Sequence, residues 1–286
     1  MDANQKFIPS RHGDRIAVYD WLSPRAQAPR AAVLIAHTLG DYGLRYQQLA
    51  QRLTHWGFLV RTFDFYGHNA SDGAKGTITH NNRFQEDLAD VVADWKKSLP
   101  RRCPLILWGY SMGATTVASA QLQGLIDADA YCLISPMLKL RTTLWQRITL
   151  SIFRYILPNS TGSAHFTPLM HSGDPQTQIL LANDEKWIRI LSARLGDTVF
   201  QMASDVTSQA SQWCKPTLIL YNAVAPEKGA VLTSGTEDFF LQSPAPIESK
   251  KYEGAYPDLF NDRQDIKQKA YQRLQQWLDR HFPGAA

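Results

Sequence analysis

Short apolar runs alternate with longer amphipathic segments along most of the chain. The apolar runs predict strands at 15–21, 31–36, 58–63, 104–109, 130–134 and 217–221. Several of these runs are continuous and rich in β-branched residues, which is typical of strands buried on both faces of a sheet. The amphipathic segments predict helices at 45–55, 82–98, 112–123 and 262–282. Strands that alternate with helices of this length indicate βαβ units and a mostly parallel sheet.

The alternation is interrupted between residues 139 and 213. This stretch contains no clean buried strand. Residues 144–157 predict an apolar helix, with Trp145 among the apolar residues that recur at helical spacing. We interpret 139–213 as a helical insertion. Residues 1–138 and 214–286 then form one α/β core domain.

The composition is that of a globular protein. Of the 286 residues, 44% are hydrophobic and 20% are charged, which argues against disorder, collagen-like repeats and coiled coils. The net charge of +4 is spread without a run of five like charges, so a solvated surface is favoured over a nucleic-acid site. Three cysteines without a C-x-x-C pair predict reduced thiols rather than disulfides or a zinc site.

Signals for targeting and for cofactors are absent from the sequence. The first residues lack an apolar signal-peptide core, and no apolar run approaches the roughly 18 residues of a membrane span. These features predict a cytoplasmic protein. No phosphate-binding loop, dinucleotide fingerprint or metal-ligand spacing occurs, so the sequence predicts neither a cofactor nor a metal. The oligomeric state is left open.

A nucleophile motif follows the strand predicted at 104–109. Residues 109–113 read Gly-Tyr-Ser-Met-Gly, which fits G-x-S-x-G between a buried strand and a helix. In this context the motif predicts a strained turn that projects the hydroxyl of Ser111 above the sheet. The backbone N–H of Met112, at the start of the helix, would be one donor of an oxyanion hole. The loop after the second predicted strand offers the N–H of Leu39 as the other donor.

Further segments, taken together with this motif, carry a resemblance to a known family. The segments are 37–40 (HTLG) followed by Arg45-Tyr46, 64–73 (DFYGHNASDG), 109–114 (GYSMGA), Ser135-Pro136 and 251–256 (KYEGAY). Across nearly the whole chain they resemble monoacylglycerol lipases and bacterial lysophospholipases of the α/β-hydrolase fold. The resemblance implies an eight-stranded sheet with helices on both faces and a helical cap, here 139–213. It also implies hydrolysis of monoacyl lipids or other carboxylic esters by a serine, an aspartate and a histidine.

The resemblance breaks at the residues that would complete a catalytic triad. The family's acid position falls on Ala225, and its histidine position falls on Pro257. Neither side chain can replace the lost acid or base. Thr38 stands where the family has an oxyanion-loop glycine, and Tyr110 stands where it has a histidine. Because the scaffold motifs survive while the site-lining residues change together, we favour a repurposed pocket over a decayed one.

Four histidines are candidates for a substitute base. His37 and His68 lie on loops that face the site in the family fold, where their usual roles are structural. His165 and His171 lie in the insertion, from which a histidine could reach the site. Without such a base Ser111 would be a poor nucleophile, because a serine hydroxyl ionises far above neutral pH.

Other side chains complete the candidate site. Asp258 and Glu227 are the acids nearest in sequence to the lost triad positions, and Tyr110 is a candidate proton donor. The pocket is expected to be apolar, which favours a hydrophobic small molecule as its ligand. The predicted substrate-contacting residues are Thr38, Trp145, Phe153 and Tyr256.

Three functional hypotheses remain open. The leading one is a non-hydrolytic enzyme whose oxyanion hole promotes cyclisation, elimination, isomerisation or condensation of a hydrophobic acyl or polyketide-like molecule. The second is a carboxylesterase or lysophospholipase with a displaced base and acid. The third is a non-catalytic protein that binds a ligand or a partner. Packing of the helix at 144–157 on the core is favoured over its contact with a membrane.

Overall fold

A mostly parallel sheet organises the part of the chain that the computed structural model describes, residues 3–21, 28–141, 143–163, 167–223 and 231–284. The strands are β1 (Asn4–Pro9), β2 (Arg15–Trp21), β3 (Ala32–Ala36), β4 (Leu59–Phe63), β5 (Leu105–Tyr110), β6 (Ala130–Ile134), β7 (Thr161–Ser163), β8 (Ile190–Ser192), β9 (Thr217–Ala223) and β10 (Ile247–Glu253). All except β7 and β8 belong to one eight-stranded sheet.

The strand order of the large sheet is β1-β2-β4-β3-β5-β6-β9-β10. The pairs β1–β2 and β2–β4 are antiparallel, and the pairs from β4 through β10 are parallel. This arrangement confirms the predicted mostly parallel, eight-stranded sheet.

Helices cover both faces of the sheet, as predicted. They are α1 (Gln47–His55), α2 (Arg83–Lys96), α3 (Met112–Leu122), α4 (Leu144–Ile156), α5 (Pro175–Ala182), α6 (Ala193–Ser208), α7 (Ser234–Gln242) and α8 (Gln264–His281). Apolar residues of α2, α3, α6 and α7 pack in one core cluster, and those of α1 and α8 pack in a second cluster. The central strands β3, β5 and β6 are buried along their whole length between these two layers.

In the large sheet, the two edge strands are the ones that the sequence pattern did not indicate; β7 and β8, which form the small ribbon, were not indicated either. β1 reads NQKFIP and β10 reads IESKKYE, so most of their side chains are polar and remain accessible to solvent. An edge strand buries little of its surface, and its sequence therefore lacks the continuous apolar run of a central strand. The six strands that were predicted all form.

The segment between β6 and β9 contains α4, α5 and α6, with β7 and β8 paired as a small antiparallel ribbon. α4 is exposed over most of its length, whereas α6 packs against α3. Leu195, Val199, Met202 and Val206 of α6 are buried in the main core cluster. The last helix of this segment is therefore continuous with the core. In the described residues, none of the helices combines the length and the apolar character needed to cross a bilayer.

The carboxyl ends of the parallel strands gather the predicted site loops at one edge of the sheet. Residues 37–43 follow β3, residues 64–73 follow β4, Ser111 follows β5 and Ser135 follows β6. This edge is where open α/β sheets place their ligands. Ala225 and Glu227, which come after β9, lie outside the described residues.

Candidate active site

Ser111 occupies a strained turn between β5 and α3. Its backbone angles are φ 51° and ψ −114°, which place a non-glycine residue in the left-handed region. Glycine is required on the helix side because a Cβ at Gly113 would lie 2.3 Å from the carbonyl oxygen of Ala36. Close contact between α3 and β3 thus accounts for the glycine, and the turn is the nucleophile elbow that the sequence predicts.

The two amide groups that the sequence predicts as the oxyanion hole are not used in hydrogen bonds within the described residues. The N–H of Met112 stands at the start of α3, and the N–H of Leu39 lies in the loop after β3. Neither N–H, nor the hydroxyl of Ser111, hydrogen-bonds to another residue in the described part of the chain. The first amides of a helix carry partial positive charge, so this pair is suited to holding an anionic oxygen.

The insertion contacts the loop after β3, which carries the N–H of Leu39. The N–H of Ile188 donates to the carbonyl oxygen of Gly40 at 2.8 Å, and the neighbouring Trp187 is buried. Gly40 has φ +77°, and a Cβ there would lie 2.4 Å from the Ile188 carbonyl oxygen. Glycine at position 40 therefore permits the contact. Ser111 itself is only 8% exposed.

His37 is completely buried and uses both ring nitrogens in hydrogen bonds to the backbone. Its Nδ1 lies 2.7 Å from the carbonyl oxygen of Thr38, and its Nε2 accepts the N–H of Phe65 at 3.0 Å. Burial lowers the pKa of His37 to about 4, so the ring is neutral near pH 7. With both nitrogens engaged, His37 supports the loop after β3 and has no nitrogen free for Ser111.

His68 is held in a similar way. Its Nδ1 lies 3.0 Å from the carbonyl oxygen of Tyr66, and its Nε2 accepts the N–H of Gly40 at 3.3 Å. Burial, reinforced by the nearby His37, lowers the pKa of His68 to about 3. The two rings are 4.9 Å apart. Together they connect the loop after β3 to the loop after β4.

Pro257, which the sequence analysis predicts to stand at the family's histidine position, makes a backbone contact. The carbonyl oxygen of Pro257 accepts a hydrogen bond from the hydroxyl of Ser135 at 2.8 Å. Tyr256, the preceding residue, is half-buried, and its N–H donates to the carboxylate of Asp262 at 2.8 Å. These contacts anchor the loop after β10 without supplying a base.

A buried group of charges lies beside the elbow, and we call it the Arg45 cluster: Asp41, Arg45, Tyr46 and Asp258. The guanidinium of Arg45 contacts Asp41 at 2.7 Å and Asp258 at 2.8 Å. Asp41 also accepts the hydroxyl of Tyr46 at 3.0 Å. Burial raises the pKa of Asp41, although Arg45 acts in the opposite direction. The carboxylate of Asp258, the predicted acid, is thus paired with an arginine.

Tyr110 and His171 meet at this cluster. The hydroxyl of Tyr110 lies 3.4 Å from Nδ1 of His171, and the ring of His171 packs edge-on against Trp187 at 5.3 Å. The carbonyl oxygen of His171 accepts the N–H of Asp258 at 2.9 Å. The fold thereby places His171, a residue of the insertion, next to Tyr110, which directly precedes Ser111. His165, the other candidate there, lies outside the described residues.

The environment of His171 keeps its ring neutral. The residue is half-buried, but its ring is enclosed, and this burial together with the charge of Arg45 lowers its pKa from 6.5 to about 4. Asp258 and Asp41 oppose the shift. A neutral imidazole is the form that a general base requires.

We expect the His171 ring to make stability depend on pH between about 6.5 and about 4. In this window the unfolded chain binds the proton that the folded protein excludes, so the free energy of unfolding falls as the pH is lowered. A His171→Asn variant is expected to show a shallower fall, by at most about 1.4 kcal/mol per pH unit. Urea unfolding of both proteins across this range measures the difference. Buried carboxylates such as Asp41 are common to both proteins, so they do not produce a difference between them. Equal slopes of the free energy of unfolding against pH would therefore contradict the prediction.

The predicted substrate-contacting residues are not all brought together. Thr38 is buried in the loop after β3, and its N–H donates to the Tyr46 hydroxyl at 3.3 Å. Trp145 and Phe153 lie on α4 with 76% and 44% of their surface exposed. Side chains that are this accessible do not form the wall of an enclosed pocket around Ser111.

The sheet order, the strained serine and the two available amides define an α/β-hydrolase. The chain belongs to the Hydrolase_4 family, whose model is described as serine aminopeptidase, S33, and matches residues 27–264. It is 26% identical over 267 residues to the monoglyceride lipase homolog of Monkeypox virus, covering 87% of this chain and 90% of that protein. It is 24% identical to the monoglyceride lipase of Homo sapiens, covering 87% of this chain and 82% of that protein.

Solved structures agree on the fold. A soluble variant of monoglyceride lipase from Saccharomyces cerevisiae, in complex with a substrate analog, superimposes with a TM-score of 0.84 and is 18% identical, covering 99% of this chain and 96% of that chain. Monoacylglycerol lipase from Paleococcus ferrophilus gives a TM-score of 0.81 at 20% identity, covering 98% and 100%. The predicted resemblance to monoacylglycerol lipases is therefore confirmed.

Proposed function

We propose that this protein is a non-hydrolytic enzyme of the α/β-hydrolase fold that acts on a hydrophobic acyl or polyketide-like small molecule. The amides of Met112 and Leu39 hold an anionic oxygen of the substrate, such as an enolate, while Ser111 stays protonated. The reaction class is cyclisation, elimination, isomerisation or condensation. The hydrophobic character of the substrate is supported by the likeness to monoglyceride lipases.

One observation carries this proposal. Ser111 keeps the strained backbone of a nucleophile elbow beside two available amides, yet its hydroxyl contacts no imidazole among the described residues. A strained backbone costs of the order of 1–3 kcal/mol and persists where it serves a function. The strain is retained here although the family's base position holds Pro257. An oxyanion site that works without an activated serine accounts for both features.

A second candidate function is ester hydrolysis with His171 as a displaced base. The observation that favours it is the placement of His171 against Tyr110, with its ring neutral near pH 7. In this case Tyr110 would carry the proton between Ser111 and His171, or a shift of the insertion would bring His171 to Ser111 directly. The charge cluster at Arg45 would then orient His171.

Labelling with a fluorophosphonate, followed by intact-mass analysis, tests the proposal. We expect no covalent adduct on the folded wild-type protein, because an unactivated hydroxyl does not attack phosphorus at a useful rate. The Ser111→Ala variant sets the background. Rapid labelling that is lost in Ser111→Ala would overturn the proposal. If His171→Asn also abolishes it, the displaced-base hypothesis is supported.

Catalysis is then distinguished from simple binding. A long-chain β-ketoacyl ester is incubated with the protein in deuterated water, and uptake of deuterium next to the carbonyl is followed by NMR. Uptake above the uncatalysed rate supports stabilisation of an enolate. Binding of the ester without any uptake would favour the non-catalytic hypothesis.

A further inference from the structure

Two histidines and a glutamate meet on the core domain at the end of the sheet that carries β1 and β2. Nε2 of His12 and Nε2 of His80 lie 2.6 Å and 2.8 Å from the same oxygen of Glu86, Oε2. The two imidazole rings are 4.7 Å apart and tilted by 63°. One donor atom from each of the three residues falls within 4.8 Å of the other two. The sequence spacing gave no sign of this group because His12 is far from the other two residues along the chain.

The three residues are held by different elements. His12 lies in the turn between β1 and β2, where its N–H donates to the Ser10 hydroxyl at 3.2 Å. His80 precedes α2, and Glu86 lies in the first turn of that helix. The group therefore joins the β1–β2 turn to the start of α2. The side chains of His12 and His80 are 35% and 38% exposed, so a metal ion has access to them from solvent.

The donor set matches a divalent transition metal. Imidazole nitrogen and carboxylate oxygen bind Zn²⁺ at about 2.0–2.2 Å, and neighbouring ligand atoms of a tetrahedral site are then about 3.3 Å apart. The nitrogen–oxygen distances of 2.6 Å and 2.8 Å need to widen by less than 1 Å to reach this spacing. Rotation of exposed side chains can supply a movement of that size.

A second contact orients one of the ligands. Nδ1 of His80 lies 2.9 Å from the hydroxyl oxygen of Thr79. When Nδ1 carries the proton and donates to Thr79, the lone pair of Nε2 faces Glu86 and is free to bind a metal. Hydrogen bonds of this kind from the outer nitrogen are usual for metal-binding histidines.

The charges around the group are compatible with a cation. Arg11, which precedes His12 in the chain, is held by Asp90 through two hydrogen bonds of 2.9 Å and 3.0 Å, so its charge is largely balanced. Arg194 donates to the backbone carbonyl oxygens of Ile78 and Thr79. His80 and Glu86 also line a groove of about 430 Å³. The groove continues along amide side chains, among them Asn81 and Gln201. A fourth ligand from solvent can therefore approach the ion.

We propose that His12, His80 and Glu86 bind a divalent transition-metal ion of the Zn²⁺ type, with a water molecule as the fourth ligand. The site is separate from Ser111 and its amides, and it does not depend on the function proposed above. In the metal-free protein, the two imidazole N–H groups donate to Glu86. On binding, Nε2 of each imidazole coordinates the ion, and the ring proton of each neutral imidazole moves by way of solvent from Nε2 to Nδ1, where that of His80 donates to Thr79. The ion then connects the β1–β2 turn to α2.

Zn²⁺ binding to the full chain tests the proposal. The protein is freed of metal with a chelator and titrated with ZnCl₂ against a coloured competing chelator. We expect one ion per chain and a rise in the thermal midpoint with added Zn²⁺. Co²⁺, used as a coloured substitute, should give the strong visible absorption of a tetrahedral site. His80→Gln and Glu86→Gln should each weaken Zn²⁺ binding at least tenfold, and Thr79→Val, which keeps all three ligands, should weaken it about tenfold.

A matched histidine provides the control. His281 lies 3.2 Å from Glu248, which resembles the histidine–glutamate contacts of the proposed site. The other groups on that carboxylate are two arginines and not a second imidazole. His281→Gln is expected to leave Zn²⁺ binding unchanged. The proposal is overturned if the wild-type chain binds no Zn²⁺, or if His281→Gln and His80→Gln weaken binding equally. Circular dichroism of each metal-free variant verifies that it is folded, and Thr79→Val provides a test that leaves the Glu86 contacts in place.

Discussion

Introducing a histidine at position 257 together with an aspartate at position 225 is expected to raise kcat/KM for ester hydrolysis by about 10²–10⁴-fold. The elbow, the strained Ser111 and the two amides are already in place, so the base and its orienting acid are the parts that the family mechanism lacks. Pro257 holds Ser135 through its backbone carbonyl, a contact that Pro257→His retains. The position of Ala225→Asp follows from the family resemblance. Hydrolysis of a short-chain nitrophenyl ester and of a monoacylglycerol measures the gain.

Two controls determine how this gain is interpreted. Ser111→Ala in the same double variant should remove the new activity, because the gain depends on serine as the nucleophile. Pro257→Gln with Ala225→Asn should give no gain, since it has similar bulk but no base. If the double variant folds and stays inactive, the elbow is not competent for hydrolysis. The changes at 225 and 257 would then be two of several that closed that reaction, and Thr38, which stands at a glycine position of the family, would be the next residue to change.

Replacing Arg45 with alanine is expected to lower the free energy of unfolding by about 3–5 kcal/mol. Arg45 contacts two carboxylates that are almost inaccessible, and its removal leaves both without a counter-charge. One oxygen of Asp41 already has no hydrogen-bond partner among the described residues, so the site has no spare donor to compensate. Urea unfolding followed by tryptophan fluorescence measures the change.

The surface pair Arg15–Asp72 supplies the comparison for this prediction. Its arginine side chain is 65% exposed. Arg15→Ala should therefore lower the free energy of unfolding by only a small fraction of the decrease expected for Arg45→Ala. Arg45→Lys keeps the charge but cannot span both carboxylates with the same fork, so we expect an intermediate loss. If Arg45→Ala lowers the free energy of unfolding no more than Arg15→Ala does, then Asp41 and Asp258 are stabilised by other groups or become protonated.

The Arg45 cluster also accounts for how the polar groups near Ser111 are paired. Asp258, which directly follows Pro257, pairs with Arg45 and Asn261. His171 reaches the same cluster from the insertion and contacts Tyr110. The polar groups around the elbow are thus connected to one another, while the serine and its two amides are left for a ligand.

The central strands and the elbow could be recognised from the sequence because their signals are local. β3, β5 and β6 are buried on both faces, so their residues form continuous apolar runs that need no partner to be recognised. The elbow likewise combines a strand, a serine between glycines and a helix within a few residues. The family resemblance extended these local signals to the whole sheet, which the structure confirms.

The remaining features depend on contacts between distant segments. The polar edge strands β1 and β10 are part of the sheet because they pair with β2 and β9. Helix α6 of the insertion belongs to the core because it packs against α3. Trp145, a predicted substrate-contacting residue, is 76% exposed on α4. His12 meets His80 and Glu86 only when the β1–β2 turn is placed beside α2.

The sequence alone therefore determined the fold and the family. It also predicts the nucleophile serine with its amides, and it predicts that the family's acid and histidine positions fall on Ala225 and Pro257. The tertiary structure decided that both buried loop histidines are engaged by the backbone, that Asp258 belongs to Arg45, and that His171 lies against Tyr110. The reason is physical. Apolar periodicity and turn chemistry act between neighbours in the chain, whereas the partner of a buried polar group is chosen by whichever distant group the packing brings within hydrogen-bond distance.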